Sequence, residues 1–272
     1  MIYGNISIIF FSYKKELYLH YISNAQNLQI MFNFFKKKQE PAQLCFNTDI
    51  HCHIIPGIDD GSPDVDTSIE LIERMKSWGI SRIIATPHVT QASYENTPET
   101  MSQALNSLKE GLQARNIDID ITHSAEYRID ELFLQHLSDG IIVPMPSNYI
   151  LVENSFIQEP WNLDQLLFDL KVKGYKPIMA HPERFFYYHQ KRDRFNSIHN
   201  TGTKFQVNIL SLAGHYSKDE KRIALDLIEN GLVDFIGTDL HNHRHADAIE
   251  SYIHSREYRK IKEKLPLLND SI

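Results

Sequence analysis

Cysteine is almost absent, with Cys45 and Cys52 the only two in 272 residues. Two thiols cannot form a disulfide framework for a chain of this size, and their scarcity suits a reducing compartment, so the cytoplasm is the expected location. A basic surplus is lacking too. Lys and Arg number 28 against 35 Asp and Glu, a net charge of -7, which leaves no electrostatic footprint for nucleic acid or anionic lipid. Long hydrophobic runs are also missing. The apolar stretch at residues 6–11 meets Tyr13, Lys14, Lys15 and Glu16 at once and is too short to span a bilayer. No basic region precedes it and no small-residue cleavage pattern follows, which argues against a signal peptide. Neither a nucleic-acid partner nor membrane insertion is expected.

What is present is the material for one large core, with 42% hydrophobic and 11% aromatic residues. Residues 1–45 show no sustained period and read as an N-terminal extension, poorly ordered, in which Met31 could be a second start. A single domain is expected over residues 46–272. There, short apolar runs alternate with amphipathic stretches of helical length. Strands are expected at residues 48–53, 82–86, 117–123, 149–153, 177–180, 204–208 and 233–237. Helices are expected at 66–78, 98–115, 162–173, 218–230 and 246–264. Gly79, Gly174 and Gly231 stand just past three of these helices, where the chain needs a left-handed residue. Regular alternation predicts an α/β fold, a β/α barrel with a doubly wound open sheet as the competing topology. Both folds put reactive residues at the carboxyl ends of strands.

The strand ends carry a pattern. His51 and His53 are two apart and so face one way on an extended segment, although a lone pair of this kind is as often a satisfied structural pair. Further runs end at His88, Glu126, Glu153, His181 and Asp239, the last with His241 two residues on. Any one of these could be a cap or a hydrogen-bonded core residue. Six strand ends delivering metal-ligand residue types together make a shared metal site the better reading. The loop Pro56-Gly57-Ile58-Asp59-Asp60-Gly61 follows the first strand; it is rich in turn formers, and Asp59 and Asp60 are equal candidates on physical grounds.

Six ordered segments carry a resemblance: residues 49–61 (Asp-Ile-His-Cys-His-Ile-Ile-Pro-Gly-Ile-Asp-Asp-Gly), Ala-Thr-Pro-His at 85–88, Ala-Glu-Tyr-Arg at 125–128, Leu-Val-Glu at 151–153, Ala-His-Pro-Glu-Arg at 180–184 and Thr-Asp-Leu-His at 238–241. They resemble the polymerase-and-histidinol-phosphatase (PHP) superfamily, and within it the manganese-dependent tyrosine phosphatases of bacterial capsule and exopolysaccharide operons. The resemblance spans about residues 48–245. It implies a distorted seven-stranded β/α barrel holding up to three divalent ions. By that pattern one metal would lie on His51, His53, Glu126 and Asp239, a second on Glu126, Glu153 and His181, and a third on Asp60, His88 and His241. It also favours Asp60 over Asp59, and matches Arg184 to a phosphate-binding arginine. A surface arginine paired with Glu183 or Asp193 is the alternative. A second family arginine has no direct match, and Arg244 is carried as its shifted counterpart.

The implied chemistry is coherent. Four carboxylates against three divalent ions leave about +2 of formal charge, which attracts a phosphate dianion. Mixed imidazole and carboxylate donors without thiolate suit manganese, iron or zinc alike, so manganese comes from the resemblance. The substrate implied by the resemblance is a phosphotyrosine protein, a bacterial tyrosine kinase controlling surface polysaccharide. Thiol-based tyrosine phosphatases need an arginine six residues after the cysteine; here those positions hold His51 and Ile58. Competing readings are a PHP phosphatase for a small monoester such as histidinol phosphate, an amidohydrolase, and a metal-stabilised binding protein without catalysis.

Overall fold

The computed structural model describes residues 42–272. The apolar stretch at 6–11, Met31 and residues 1–41 of the expected extension lie outside the described residues. The described chain begins already attached to the domain: Leu44 is buried, and its amide donates to the Trp78 carbonyl at 2.8 Å.

Nine strands are present among the described residues: β1 (Thr48–Asp49), β2 (Arg82–Ala85), β3 (His88–Val89), β4 (Asp120–His123), β5 (Glu126–Arg128), β6 (Tyr149–Glu153), β7 (Lys176–Ala180), β8 (Lys204–Asn208) and β9 (Phe235–Gly237). Every pairing is parallel, in the orders β1-β2-β4 and β3-β5-β6-β7-β8-β9. The two sheets are one curled sheet with a break. β3 resumes the course of β2 after Thr86 and Pro87, and β5 resumes that of β4 after Ser124 and Ala125. Pro87 has no N–H to give to a ladder, which explains an interruption there. Across the break the Ser124 amide still donates to Ala85 O (2.9 Å) and Glu126 to Pro87 O (3.0 Å). Nine short strands thus fill seven positions. A parallel bridge between Cys52 and Leu240 brings first and last together, with Asp239 N to His51 O at 2.8 Å and His53 N to Leu240 O at 2.9 Å. The result is an α/β fold of the distorted, partly closed seven-stranded barrel type, and the open doubly wound sheet is ruled out.

The flanking helices follow the apolar period. In helix Pro98–Ala114 the buried residues are Met101, Leu105, Leu108 and Leu112, one stripe at three- and four-residue steps, and a Thr97/Thr100 capping box with Pro98 behind it fixes the start. Helix Val65–Ser77 starts where the Asp64 carboxylate accepts from Thr67 N at 2.8 Å. Leu163–Val172 and Lys218–Glu229 lie within a residue of expectation at each end. The long helix expected at 246–264 is instead His243–Ile253, Arg256–Ile261 and a single turn, because the Ser255 hydroxyl accepts from Tyr258 N and opens a new helix. Helices Glu131–Asp139, Arg192–Asn200 and Ile209–Ala213 were not expected. None of the described helices is long and apolar enough to cross a membrane.

Alternation along the strands divides the core in two. Ile83, Ile150, Val152, Met179 and Ile236 face the helices, while their neighbours Ile84, Leu151, Ile178, Ala180 and Phe235 form a small cluster inside the barrel. Leu268 and Ile272 pack against this inner cluster at the amino ends of the strands. One step further along, at the carboxyl ends, the same inward parity in β6 and β8 delivers Glu153, Gln206 and Asn208 in place of hydrocarbon. The site begins there.

Candidate metal centre

The nine residues expected as ligands converge on the carboxyl ends of the strands. Glu126, the first residue of β5, is at the middle. Its Oε2 lies 3.3 Å from His51 Nε2, 3.4 Å from His53 Nε2 and 3.1 Å from His88 Nδ1, and its Oε1 lies 2.9 Å from His181 Nε2. Asp239 Oδ1 completes a first group, 3.4 Å from both His51 Nε2 and His53 Nε2, which are themselves 3.3 Å apart. Glu153 Oε1 stands 3.5 Å from His181 Nε2. On the open side, Asp60 Oδ1 is 3.5 Å from His88 Nε2 and 3.6 Å from His241 Nε2. Four overlapping sets among these residues each place their donor atoms within 4.8 Å of one another.

These donors fit divalent ions better than they fit each other. Five separations among the His51, His53, Glu126 and Asp239 donor atoms fall between 3.3 and 3.4 Å. A tetrahedron of nitrogen and oxygen ligands about 2.0–2.1 Å from a metal has edges of about 3.3–3.4 Å. Glu126 Oε2 is buried and approached by three imidazoles yet accepts a hydrogen bond from none, and His181 Nδ1 is equally without a partner. A cation in the middle would satisfy what the N–H directions do not. Electrostatics agree. Burial alone would depress His51, but the Glu126 and Asp239 carboxylates push it up to about 9. Glu153 goes up to about 7, chiefly through burial and then through the neighbouring charge of Glu126. The cluster calls for positive charge, and a metal replaces the proton that an imidazole would otherwise keep.

Outer contacts aim the imidazoles. His51 Nδ1 donates to Gln206 Oε1 and His53 Nδ1 to Asp59 Oδ2, both at 2.7 Å, while His241 Nδ1 donates to the Asp239 carbonyl at 2.9 Å. Each bond fixes the tautomer that presents Nε2 as a lone pair. Asp59 is held in turn by the amides of Gly61 (2.9 Å) and His88 (3.1 Å). The two neighbouring aspartates therefore divide the work: the buried carboxylate of Asp59 orients a histidine, and Asp60 reaches the donor cluster. Two glycines make room. A Cβ on Gly61 would stand 2.0 Å from the His53 carbonyl oxygen, and one on Gly237 would stand 2.6 Å from the His51 Cβ. His181 (φ 32°) and Asp239 (φ 49°) adopt left-handed backbone that non-glycine residues seldom take, a strain typical of functional sites.

The cluster opens into a cleft of about 500 Å³ whose walls include Tyr94, Arg128, Phe156, Arg184, Tyr216 and His245. Arg184 pairs with neither Glu183 nor Asp193. Its guanidinium lies between two rings, 4.9 Å from the centroid of Phe156 and 4.2 Å from that of Tyr216, and donates to Asp239 Oδ2 at 3.1 Å. The same oxygen accepts from Tyr216 Oη at 3.0 Å and from Asn208 Nδ2 at 2.6 Å. Asp239 thus shows one oxygen to the imidazoles and has the other held by three donors.

Residues 47–265 match the family model described as capsular polysaccharide synthesis, CpsB/CapC. The chain belongs to the CpsB/CapC family. Among its relatives, the tyrosine-protein phosphatase YwqE of Bacillus subtilis (strain 168) is 35% identical over 71% of this chain and 77% of its own length. The putative tyrosine-protein phosphatase CapC of Staphylococcus aureus is 31% identical over 71% and 76%. A solved structure, from work on YwqE of Bacillus subtilis and CpsB of Streptococcus pneumoniae described as unique metal-dependent tyrosine phosphatases, superimposes with a TM-score of 0.69 at 32% identity, covering 79% of this chain and 91% of the other.

Within this CpsB/CapC fold one expected site residue is placed elsewhere. Arg244 is exposed in the first turn of helix His243–Ile253 and does not line the cleft. A register that brings the Asn242 side chain back to cap His245 N carries residue 244 outward. Arg128 is the second arginine on the cleft wall, bound to Glu153 Oε2 at 2.5 Å with its guanidinium 5.5 Å from the Phe156 ring. Sequence reasoning missed the roles of Asp59, Gln206, Asn208 and Tyr216. Gln206 and Asn208 could have been found, since they share the inward face of β8 at the carboxyl end; Tyr216 sits in a loop with no period to announce it.

Proposed function

We propose that this chain is a metal-dependent phosphoric monoester hydrolase that removes phosphate from phosphotyrosine in proteins, using His51, His53, Asp60, His88, Glu126, Glu153, His181, Asp239 and His241 to hold up to three divalent ions. The observation that carries the reading is the convergence of these donors around Glu126 at the floor of a cleft walled by Arg184. Bound divalent ions would supply charge stabilisation and water acidified toward neutral pH. The remaining work falls to the chain itself. Arg184, held beside the rings of Phe156 and Tyr216, can donate two parallel N–H groups to the equatorial phosphoryl oxygens, where charge grows in the transition state. Because Tyr216 and Asn208 also hold Asp239 Oδ2, that carboxylate keeps its orientation when Arg184 turns to the substrate. Tyrosinate, with a phenol pKa of about 10, leaves with less protonic help than a serine alkoxide needs. No thiol takes part: Cys52 is buried on the helix side of the sheet, in the main core.

Manganese is the proposed metal, and a bacterial tyrosine kinase governing surface-polysaccharide export in the cytoplasm is the proposed partner. The family's description, capsular polysaccharide synthesis, and the relatives' names as tyrosine-protein phosphatases support the partner; the mixed imidazole and carboxylate donors suit manganese among other divalent ions, and the sequence resemblance is what favours it. The test is a substrate panel with metal-replete protein: phosphotyrosine peptide, phosphoserine peptide, histidinol phosphate, and a set of amides and lactones. Phosphotyrosine peptide is expected to have the highest specificity constant, with activity lost in chelator and best restored by manganese. Hydrolysis that continues undiminished in metal-free protein would end this reading, and a preference for histidinol phosphate would move the substrate.

A further inference from the structure

Seven large hydrophobic side chains are exposed among the described residues, and the two most exposed, Ile157 (89%) and Trp161 (96%), share the loop after β6. That loop leaves the metal cluster at Glu153. Three residues on, Phe156 forms part of the cleft wall, and Ile157 is its direct neighbour. The Phe156 ring packs 5.5 Å from that of Phe185, and Phe185 is followed by Phe186, which is 61% exposed. A packed pair of rings therefore joins the inside of the cleft to an apolar rim outside it. The loop is not left to collapse onto the surface. Tyr187 Oη donates to the Ser155 carbonyl at 2.9 Å, and Arg194 Nε donates to Glu159 Oε1 at 3.0 Å. Side chains held out in water by such ties cost free energy unless something covers them.

We propose that Ile157, Trp161 and Phe186 form a docking rim for the polypeptide flanking the substrate phosphotyrosine, binding apolar side chains within a few residues of it. The inference rests on the function proposed above and deepens it. A tyrosyl side chain that reaches into a cleft of about 500 Å³ brings its own backbone to the mouth. Its neighbours, spaced by about 3.3–3.6 Å per residue, must then lie on whatever surrounds that mouth. Beside Phe156 this is the apolar rim, whereas Thr90, Ser93 and Asn242 are polar residues of the cleft lining. A few large side chains, tryptophan foremost, carry most of the binding energy in protein contacts, with their neighbours excluding water around them. A free aryl phosphate uses the cleft alone, whereas a phosphoprotein uses cleft and rim.

The experiment compares the wild-type holoenzyme with Ile157→Ser, Trp161→Ser and Phe186→Ser, singly and combined. The substrates are p-nitrophenyl phosphate and two phosphotyrosyl peptides, one flanked by leucine and one by aspartate. In the combined variant kcat/KM on the leucine-flanked peptide should fall roughly 5- to 30-fold, with p-nitrophenyl phosphate unchanged and the wild-type preference between the peptides gone. Equal peptide kinetics in wild type and variant would overturn the rim while leaving the phosphatase reading intact. Wild-type protein that cleaves p-nitrophenyl phosphate but neither peptide would remove the substrate reading, and the rim with it. Sedimentation adds a further arm. A fall in mass with unchanged peptide kinetics would make the rim a contact between copies of this chain, together with Phe168 and Val172 on the adjoining helix, and overturn the proposal.

Discussion

The two ends of the barrel treat polar groups in opposite ways. At the amino end the chain closes its own floor. Asn269, fully buried, accepts from Ile236 N and donates to the carbonyls of Thr48 and Ile236, while Asp270 accepts from the amides of Asn47 and Thr48. Below them Leu268 and Ile272 complete the inner apolar cluster. At the carboxyl end buried donors and acceptors are left without partners, like carboxylates crowd together, and two non-glycine residues hold left-handed backbone. The floor is arranged for stability, and the mouth is held under strain for ligands to relieve. Substitutions at the two ends should accordingly separate activity from stability.

The largest effect is expected at the mouth. Arg184→Ala should lower kcat/KM on phosphotyrosine peptide by about 2–4 kcal/mol, roughly thirty- to thousand-fold, in protein saturated with manganese and with the melting temperature near wild type; its lost donor to Asp239 should weaken metal retention against chelator no more than about the five-fold expected for Tyr216→Phe. Arg184→Lys should recover little, because an ammonium lacks the planar fork, and exposed Arg244→Ala should be almost silent. A near-silent Arg184→Ala would leave Arg128 as the arginine to test. At the floor the pattern reverses. Asn269→Ala strands buried groups of Ile236 and Thr48 and should cost about 1–3 kcal/mol of stability, read as a lowered urea midpoint, while turnover per folded molecule stays the same. A turnover defect matching the stability loss would mean that the ends are coupled and the comparison fails. The smallest effect is expected within the mouth, where the cleft wall meets the donor cluster. Tyr216→Phe keeps the ring against Arg184 but removes one donor to Asp239, so metal retained after dialysis against chelator should drop by about 1 kcal/mol in affinity, roughly five-fold, with KM little altered. A raised KM with unchanged metal retention would assign Tyr216 to the substrate side instead.

Much of the mouth was legible in the sequence because each donor ends an apolar run. His88, Glu153, His181 and Asp239 announce themselves by where the hydrocarbon stops, and the barrel follows from the same alternation. What stayed hidden has physical causes. Thr86-Pro87 and Ser124-Ala125 look like strand ends, so the resumption of pairing as β3 and β5 could not be read locally; it depends on neighbouring strands crossing the break together. Gln206, Asn208 and Asp59 are small polar residues whose roles come from what they face across the barrel. The floor was hidden for the same reason: Asn269 and Asp270 lie past the last expected helix, and only tertiary contact makes them close the amino end. Arg244 shows the opposite hazard, a residue of the right type that stands exposed on the first turn of its helix, outside the residues lining the cleft.

The parallel bridge between Cys52 and Leu240 has a kinetic meaning as well. It joins the first and last strands, and the adjoining tie from Thr238 to Asp49 spans 189 residues. Contacts of such separation are costly to close and form late. His51 and His53 come from one side of that seam, Asp239 and His241 from the other, so the first ligand group does not exist until nearly the whole domain has been laid down and folded. An ion held there would act as a clasp on a finished barrel, and binding competence would report that folding is complete.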